Sequence, residues 1–230
     1  MPRTQLLIPA AGMGLRLGCD GPKALIDVAG KPLLVRTLER FQPLNLLSGT
    51  VVIVPAGFEA AFEAALEKAF PRVPISLVTG GAERQISVSN GLNALGTDTE
   101  IVAIHDAARP FVSTESVAES IEAADQFGAA TVAVPSIDTI LVGDADSFLI
   151  DTPDRARLWA CQTPQTFRVS VIREAHAAAK QADYLGTDDA TLVQRTGHTV
   201  KLVRGTPLNF KVTTPEDLAL ARCVVEKGLA

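Results

Sequence analysis

The chain has 230 residues, 47% of them hydrophobic and 20% charged, which is apolar material enough for one α/β domain and excludes a disordered chain. Its 21 basic and 26 acidic residues give a formal charge of −5, which excludes a general nucleic-acid binder but leaves room for a small phosphorylated ligand. Three widely spaced cysteines, Cys19, Cys161 and Cys223, form no CxxC pair, so neither a zinc site nor a disulfide framework is indicated, and a reducing compartment fits. The first apolar run, Gln5–Pro9, is too short for a signal peptide and reads as a buried strand, consistent with a bacterial cytoplasm. No apolar stretch is long enough to span a bilayer.

That strand breaks into the loop AAGMGLRLGCDGPKAL, residues 10–25. The loop is not a Walker loop, because Lys23 is followed by Ala24 where Ser or Thr is required. Nor is it a dinucleotide-binding turn. The segment Gly18–Pro22 would fall inside the helix such a turn needs, and proline there costs about 3 kcal/mol. An extended glycine loop remains, whose backbone N–H groups can approach phosphate oxygens while Arg16 and Lys23 add positive charge.

Further on, apolar runs and helical patterns alternate. Helices are predicted at Pro32–Phe41, Phe58–Phe70, Glu83–Leu95 and Thr114–Phe127, and strands at Thr50–Pro55, Ile75–Thr79, Glu100–His105 and Ala129–Pro135. This order implies a three-layer, Rossmann-like α/β fold, with a mostly parallel sheet, helices on both faces and ligands at the carboxyl ends of the strands. Asp106, just past the strand IVAIH, is then well placed to hold Mg²⁺ beside a polyphosphate. Its neighbour His105 reads as structural. The pattern changes at Ile137–Cys161, an extended, hairpin-like arm too thin to bury its own Ile140, Leu141, Phe148, Leu149 and Trp159, which favours a twofold partner. A helix at Val169–Ala182, a short helix opening at Thr187, a strand at Thr199–Val203 and a helix at Pro215–Lys227 capped by Thr214 complete the chain. Asp188 and Asp189 read as first-turn acids. Before the last helix, Asn209, Lys211 and Thr213 alternate with Phe210 and Val212, which sets the lysine opposite the apolar pair. With no internal repeat and no linker, residues 1–230 read as one domain carrying an arm at about 137–161.

The glycine loop resembles that of the sugar-nucleotide pyrophosphorylase-like nucleotidyltransferases, GxGxR followed by PK. GGAERQISVSNGL (80–92), HDAARPF (105–111), TPQTF (163–167), TDDA (187–190) and NFKVTTPEDL (209–218) extend the likeness over nearly the whole chain. Together they resemble the 2-C-methyl-D-erythritol 4-phosphate cytidylyltransferases of non-mevalonate isoprenoid synthesis. The resemblance implies transfer of CMP from CTP to a polyol phosphate with Mg²⁺, without a covalent enzyme intermediate. It implies Arg16, Lys23 and Lys211 as the catalytic cations. Pro9, Ala10, Ala11, Gly12, Gly14, Gly81, Arg84 and Ser87 fall on the nucleotide side, and Ala82 stands where a bacterial relative carries an acid. Asp106, Arg109, Thr139, Arg155, Thr163 and Thr187 fall on the polyol-phosphate side. The arm is implied to embrace a second subunit, making a homodimer in which Thr139 and Arg155 serve the neighbour's site. Two alternatives stay open: the same chemistry on ribitol 5-phosphate, and a non-catalytic nucleotide-binding module. Retention of Arg16, Lys23, Asp106 and Lys211 weighs against the second.

Overall fold

The structure is a computed structural model that describes residues 2–14, 17–18, 21–44 and 47–230. Strand β1 (Thr4–Pro9) is followed by a tight hairpin, β2 (Asp27–Val28) and β3 (Lys31–Pro32), and by helix α1 (Leu33–Glu39). Ala29 and Gly30 make that hairpin's turn with φ of 50° and 86°. Strands and helices then alternate: β4 (Leu47–Val54), α2 (Glu59–Ala69), β5 (Ile75–Thr79), α3 (Arg84–Asn93), β6 (Ile101–Ile104), α4 (Thr114–Phe127) and β7 (Ala129–Pro135). A small hairpin, β8 (Val142–Gly143) and β9 (Leu149–Asp151), precedes β10 (Trp159–Arg168), α5 (Val169–Gln181), α6 (Asp189–Arg195), β11 (Lys201–Arg204) and α7 (Pro215–Glu226).

The main sheet has seven strands in the order β11-β7-β10-β6-β1-β4-β5. All pair in parallel except β10, which runs antiparallel to both β6 and β7. Side chains alternate between the two faces, as a period of two requires. Leu6, Ile8, Val52 and Val54 pack with Leu34 and Leu38 of α1, Phe62 of α2 and Val117 and Ile121 of α4. Leu7, Val51 and Ile53 pack on the other face with Val88 and Leu92 of α3, Ile172 of α5 and Val193 of α6. Burial on both faces is why the parallel strands read as unbroken apolar runs. A third cluster joins Val28, Leu33, Phe111 and Val212 to Ala221 and Val224 of α7. There the N–H of Val212 donates to the Ala108 carbonyl at 2.8 Å, which ties the segment carrying Lys211 to the turn after β6.

The predicted α/β architecture is the one observed, with helix ends within two residues of expectation. One inner strand of the sheet, β10, differs from expectation. The arm was expected to run to Cys161, but Trp159, Ala160 and Cys161 already pair with Pro135, Val134 and Ala133 of β7 as the start of β10. The rest of β10, QTPQTFR, carries no apolar strand pattern, because its buried Gln162, Thr163, Gln165 and Thr166 are polar. Side-chain hydrogen bonds, not apolarity, suit these residues to the interior. The hairpin β8–β9 pairs only with itself, and its residues are exposed.

Candidate active site

A cleft of about 490 Å³ opens at the carboxyl ends of β1, β5 and β6. One wall is the chain leaving β1: Pro9, Ala10, Ala11, Gly12 and Gly14. The loop folds back on itself, because the N–H of Lys23 donates to the Gly12 carbonyl at 3.0 Å. Gly14 makes that return possible. Its φ is +66°, and a Cβ there would lie 3.1 Å from the Lys23 Cβ. Lys23 is thereby set in the lining. Arg16 lies outside the described residues.

The opposite wall is Gly81 to Ser87, where α3 begins. Ser87 is buried; its hydroxyl accepts from the Gly81 N–H at 3.0 Å and lies 3.0 Å from the Glu83 carbonyl. It therefore holds the glycine turn in shape. The first-turn N–H groups of α3 bring partial positive charge to this wall.

Asp106 forms the floor, in the lining with Lys211. Lys211 Nζ lies 2.9 Å and Arg109 Nε 3.5 Å from its Oδ2, and Arg84 Nε is 4.0 Å from its Oδ1. Burial pushes this carboxyl up, but the Lys211 ammonium and Arg84 guanidinium outweigh burial and hold it well below the usual carboxylate range. It is an anion at any physiological pH. Arg109 also donates to the carbonyls of Asn209 at 2.7 Å and Cys161 at 3.3 Å, so it fastens the Lys211 segment to β10.

Behind the floor lies a closed polar network. The Asp106 N–H donates to the Thr163 hydroxyl at 3.1 Å, and that hydroxyl is 2.9 Å from His105 Nδ1. His105 Nε2 faces the Arg109 carbonyl at 3.0 Å. A carbonyl only accepts, so Nε2 carries the proton and Thr163 donates to Nδ1. Burial pushes the His105 imidazole down to about 4, so it is neutral near pH 7. His105 is structural, as expected. Thr163, expected on the substrate side, is buried with its hydroxyl committed to this network.

Thr139, Arg155 and Thr187 do not line the cleft. Arg155 donates to the Ile137 carbonyl at 3.1 Å within the arm. Thr187 is exposed, one residue before Asp188, which is the true cap of α6 and accepts from the Thr191 N–H at 2.7 Å. Asp189 is more than a first-turn acid. It is buried and pairs with Arg84 Nη1 at 2.7 Å and His176 Nε2 at 3.1 Å. No spacing rule pointed to that pair, because its members are 105 residues apart. Among the described residues no group of three His, Cys, Asp or Glu is placed to hold a metal, and no helix is long and apolar enough to cross a membrane.

The family model for 2-C-methyl-D-erythritol 4-phosphate cytidylyltransferase (IspD) matches residues 4–227. The chain belongs to this family. Enzymes of that name from Caldanaerobacter subterraneus and Geobacillus thermodenitrificans are 45% and 46% identical to it. Those alignments cover 96% and 98% of this chain and 98% of each relative. A crystal structure of 4-diphosphocytidyl-2C-methyl-D-erythritol synthase from Anaerococcus prevotii superposes with a TM-score of 0.87 at 30% identity, over 98% of this chain and 99% of that one. The cytidylyltransferase structure from Thermus thermophilus gives 0.81 at 36% identity, over 98% and 100%. Membership of the cytidylyltransferase family makes the chain a nucleotidyltransferase, so the reading as a non-catalytic module falls.

Proposed function

We propose that this cytidylyltransferase transfers CMP from CTP to 2-C-methyl-D-erythritol 4-phosphate. A phosphate oxygen of the polyol phosphate attacks the α-phosphorus of CTP in line. The bond from that phosphorus to the bridging oxygen breaks, and pyrophosphate leaves with its electron pair. No general base is needed, because the attacking phosphate is already ionised, and the neutral, enclosed His105 is not required to act as one.

The observation that carries this reading is the convergence of Lys211, Arg84 and Arg109 on Asp106, across the cleft from the glycine loop that holds Lys23. Positive groups fixed before the substrate arrives stabilise the charge that develops on the phosphoryl oxygens without reorganising. The backbone of Ala10–Gly12 and the Gly81 turn form the walls suited to base and ribose, and Arg84 serves the nucleotide side. The donor set fits a magnesium ion held chiefly by the triphosphate, since Mg²⁺ commonly takes only one or two carboxylates and keeps phosphate and water ligands. Asp106, the carboxylate of the floor that Lys211 and Arg84 hold in its ionised form, would be its protein ligand. The ion would supply further neutralisation of the triphosphate charge.

The arm completes the proposal. Ile137 is 83% exposed, Phe148 70% and Ile150 63%, a row of apolar side chains that a single copy leaves in water. A second copy packed on it would bring Thr139 and Arg155 to the polyol-phosphate end of the neighbouring cleft.

Pyrophosphate release with CTP and Mg²⁺ tests the reading, with methylerythritol phosphate compared against ribitol 5-phosphate at equal concentration. Strong preference for the first is expected. Preference for ribitol phosphate would keep the chemistry and change the substrate.

A further inference from the structure

The first turn of α3 makes two contacts that the reaction as described does not use. Arg84, in the cleft wall, donates through Nη1 to Asp189 Oδ2 at 2.7 Å. Asp189 is 1% exposed and does not line the cleft. Its other oxygen lies 3.1 Å from His176 Nε2, and its own N–H and that of Ala190 donate to the Gln165 side chain at 3.0 and 3.1 Å. A carboxylate so deeply buried persists only where charge and hydrogen bonds replace its water. Here much of that replacement is the arginine of the binding wall. Gln85, the next residue, grips a different segment. Its Nε2 donates to the Tyr184 carbonyl at 3.0 Å, and its Oε1 accepts from the Gly186 N–H at 2.8 Å. Those bonds fix the backbone immediately before Thr187.

We propose that Asp189 and Gln85 are positioning residues for the two halves of the site. Asp189 acts through Arg84 on the nucleotide. Gln85 acts through the 184–187 loop on the polyol phosphate. The inference rests on the reading that Arg84 faces CTP and that Thr187, exposed beyond the cleft lining, is on the polyol-phosphate side, as the family resemblance implies. An arginine has many rotamers, and Asp106 lies 4.0 Å from this one on the other side. Without Asp189 the guanidinium is free to turn onto Asp106 or out to solvent, and binding CTP must then order it. With Asp189 in place that ordering is complete beforehand.

The test is steady-state pyrophosphate release together with calorimetric CTP binding, on wild type, Asp189→Asn, Arg84→Met, the double variant and Gln85→Leu. Asp189→Asn is expected to raise the KM and Kd for CTP about tenfold and to leave the KM for the polyol phosphate unchanged. Gln85→Leu is expected to do the reverse. A purely structural role would lower thermal stability and active fraction without separating the two KM values. In the Arg84→Met background Asp189→Asn should change nothing more. An unchanged CTP KM in Asp189→Asn, or a further loss in the double variant, overturns the first half. A Gln85→Leu variant with both KM values raised alike, or neither, overturns the second. Should Asp189→Asn alone fail to fold, Asp189→Glu, which keeps the charge and displaces the carboxylate by one methylene, takes its place: a raised Kd for CTP is expected, and an unchanged one overturns the first half. Wild type that binds CTP but turns over neither polyol phosphate sinks the reaction itself, and the CTP-binding comparison then still judges Asp189.

Discussion

Asp106 neutralises three cations at once, so removing its charge does more than delete one ligand. In Asp106→Asn, Lys211, Arg84 and Arg109 face one another without their shared anion. Turnover is expected to fall about a hundredfold or more, with far-UV circular dichroism still showing a folded chain. His105 makes the second residue-scale prediction. Its folded-state value of about 4 lies below the ordinary value of 6.5, so the unfolded chain takes up the proton first as pH falls. The stability contributed by the neutral ring is therefore complete above pH 6.5 and is lost as pH falls from 6.5 toward 4, by at most about 3 kcal/mol. Melting of the ligand-free protein should show this slope, and His105→Gln should flatten it at a lower overall stability. An identical slope in both would show that another group titrates there.

At the scale of the element, helix ends and close approaches set the outcome. Thr214 accepts from the Asp217 N–H at 3.3 Å, and the Asp217 carboxylate returns to the Thr214 N–H at 2.9 Å, a complete capping box at the start of α7. Thr214→Ala should cost about 1 kcal/mol and lower Tm by about 2–4 °C, with kcat unchanged, since Lys211 is held separately by the Val212–Ala108 bond. Gly91 gives the opposite lesson. Helix propensity favours alanine there by about 1 kcal/mol. A Cβ, however, would meet the Leu7 Cδ1 at 2.5 Å and the Ile53 Cδ1 at 2.8 Å, both in the core, and overpacking costs about 1–3 kcal/mol. Gly91→Ala should therefore lower Tm, and a rise would show that α3 can lift off the sheet. Elements whose burial is apolar were legible from sequence: Gln5–Pro9, TVVIVP at 50–55 and the alanine-rich helices announce themselves by period. The strand QTPQTFR was not, since its buried polar groups are satisfied by partners far away in sequence, as when Asn209 reaches Gln162 and Thr163. The site divides in the same way. The glycine loop, Asp106 and Lys211 stood out as local patterns, whereas Asp189 and His176 acquire meaning only when three helices meet.

For the whole molecule, the decisive quantity is the number of copies. Phe148→Ser together with Ile150→Ser removes two of the most exposed apolar side chains of the arm and touches neither the cleft nor the main sheet. Sedimentation should show wild type as a dimer and the double variant shifted to monomer at micromolar concentration. Activity should fall with it, mainly in the KM for the polyol phosphate. A variant that stays dimeric would place the interface elsewhere.

The position of β10 also governs how the chain can be assembled. Strands β6 and β7 point the same way and are joined by α4, an arrangement that ordinarily closes as a strand–helix–strand unit with its two strands side by side. In the finished protein Trp159–Arg168 separates them. In the order of synthesis this segment follows both of the strands that it separates. The slot is thus filled only after both of its banks are made, and a chain that ends before Trp159 lacks the one strand that separates β6 from β7.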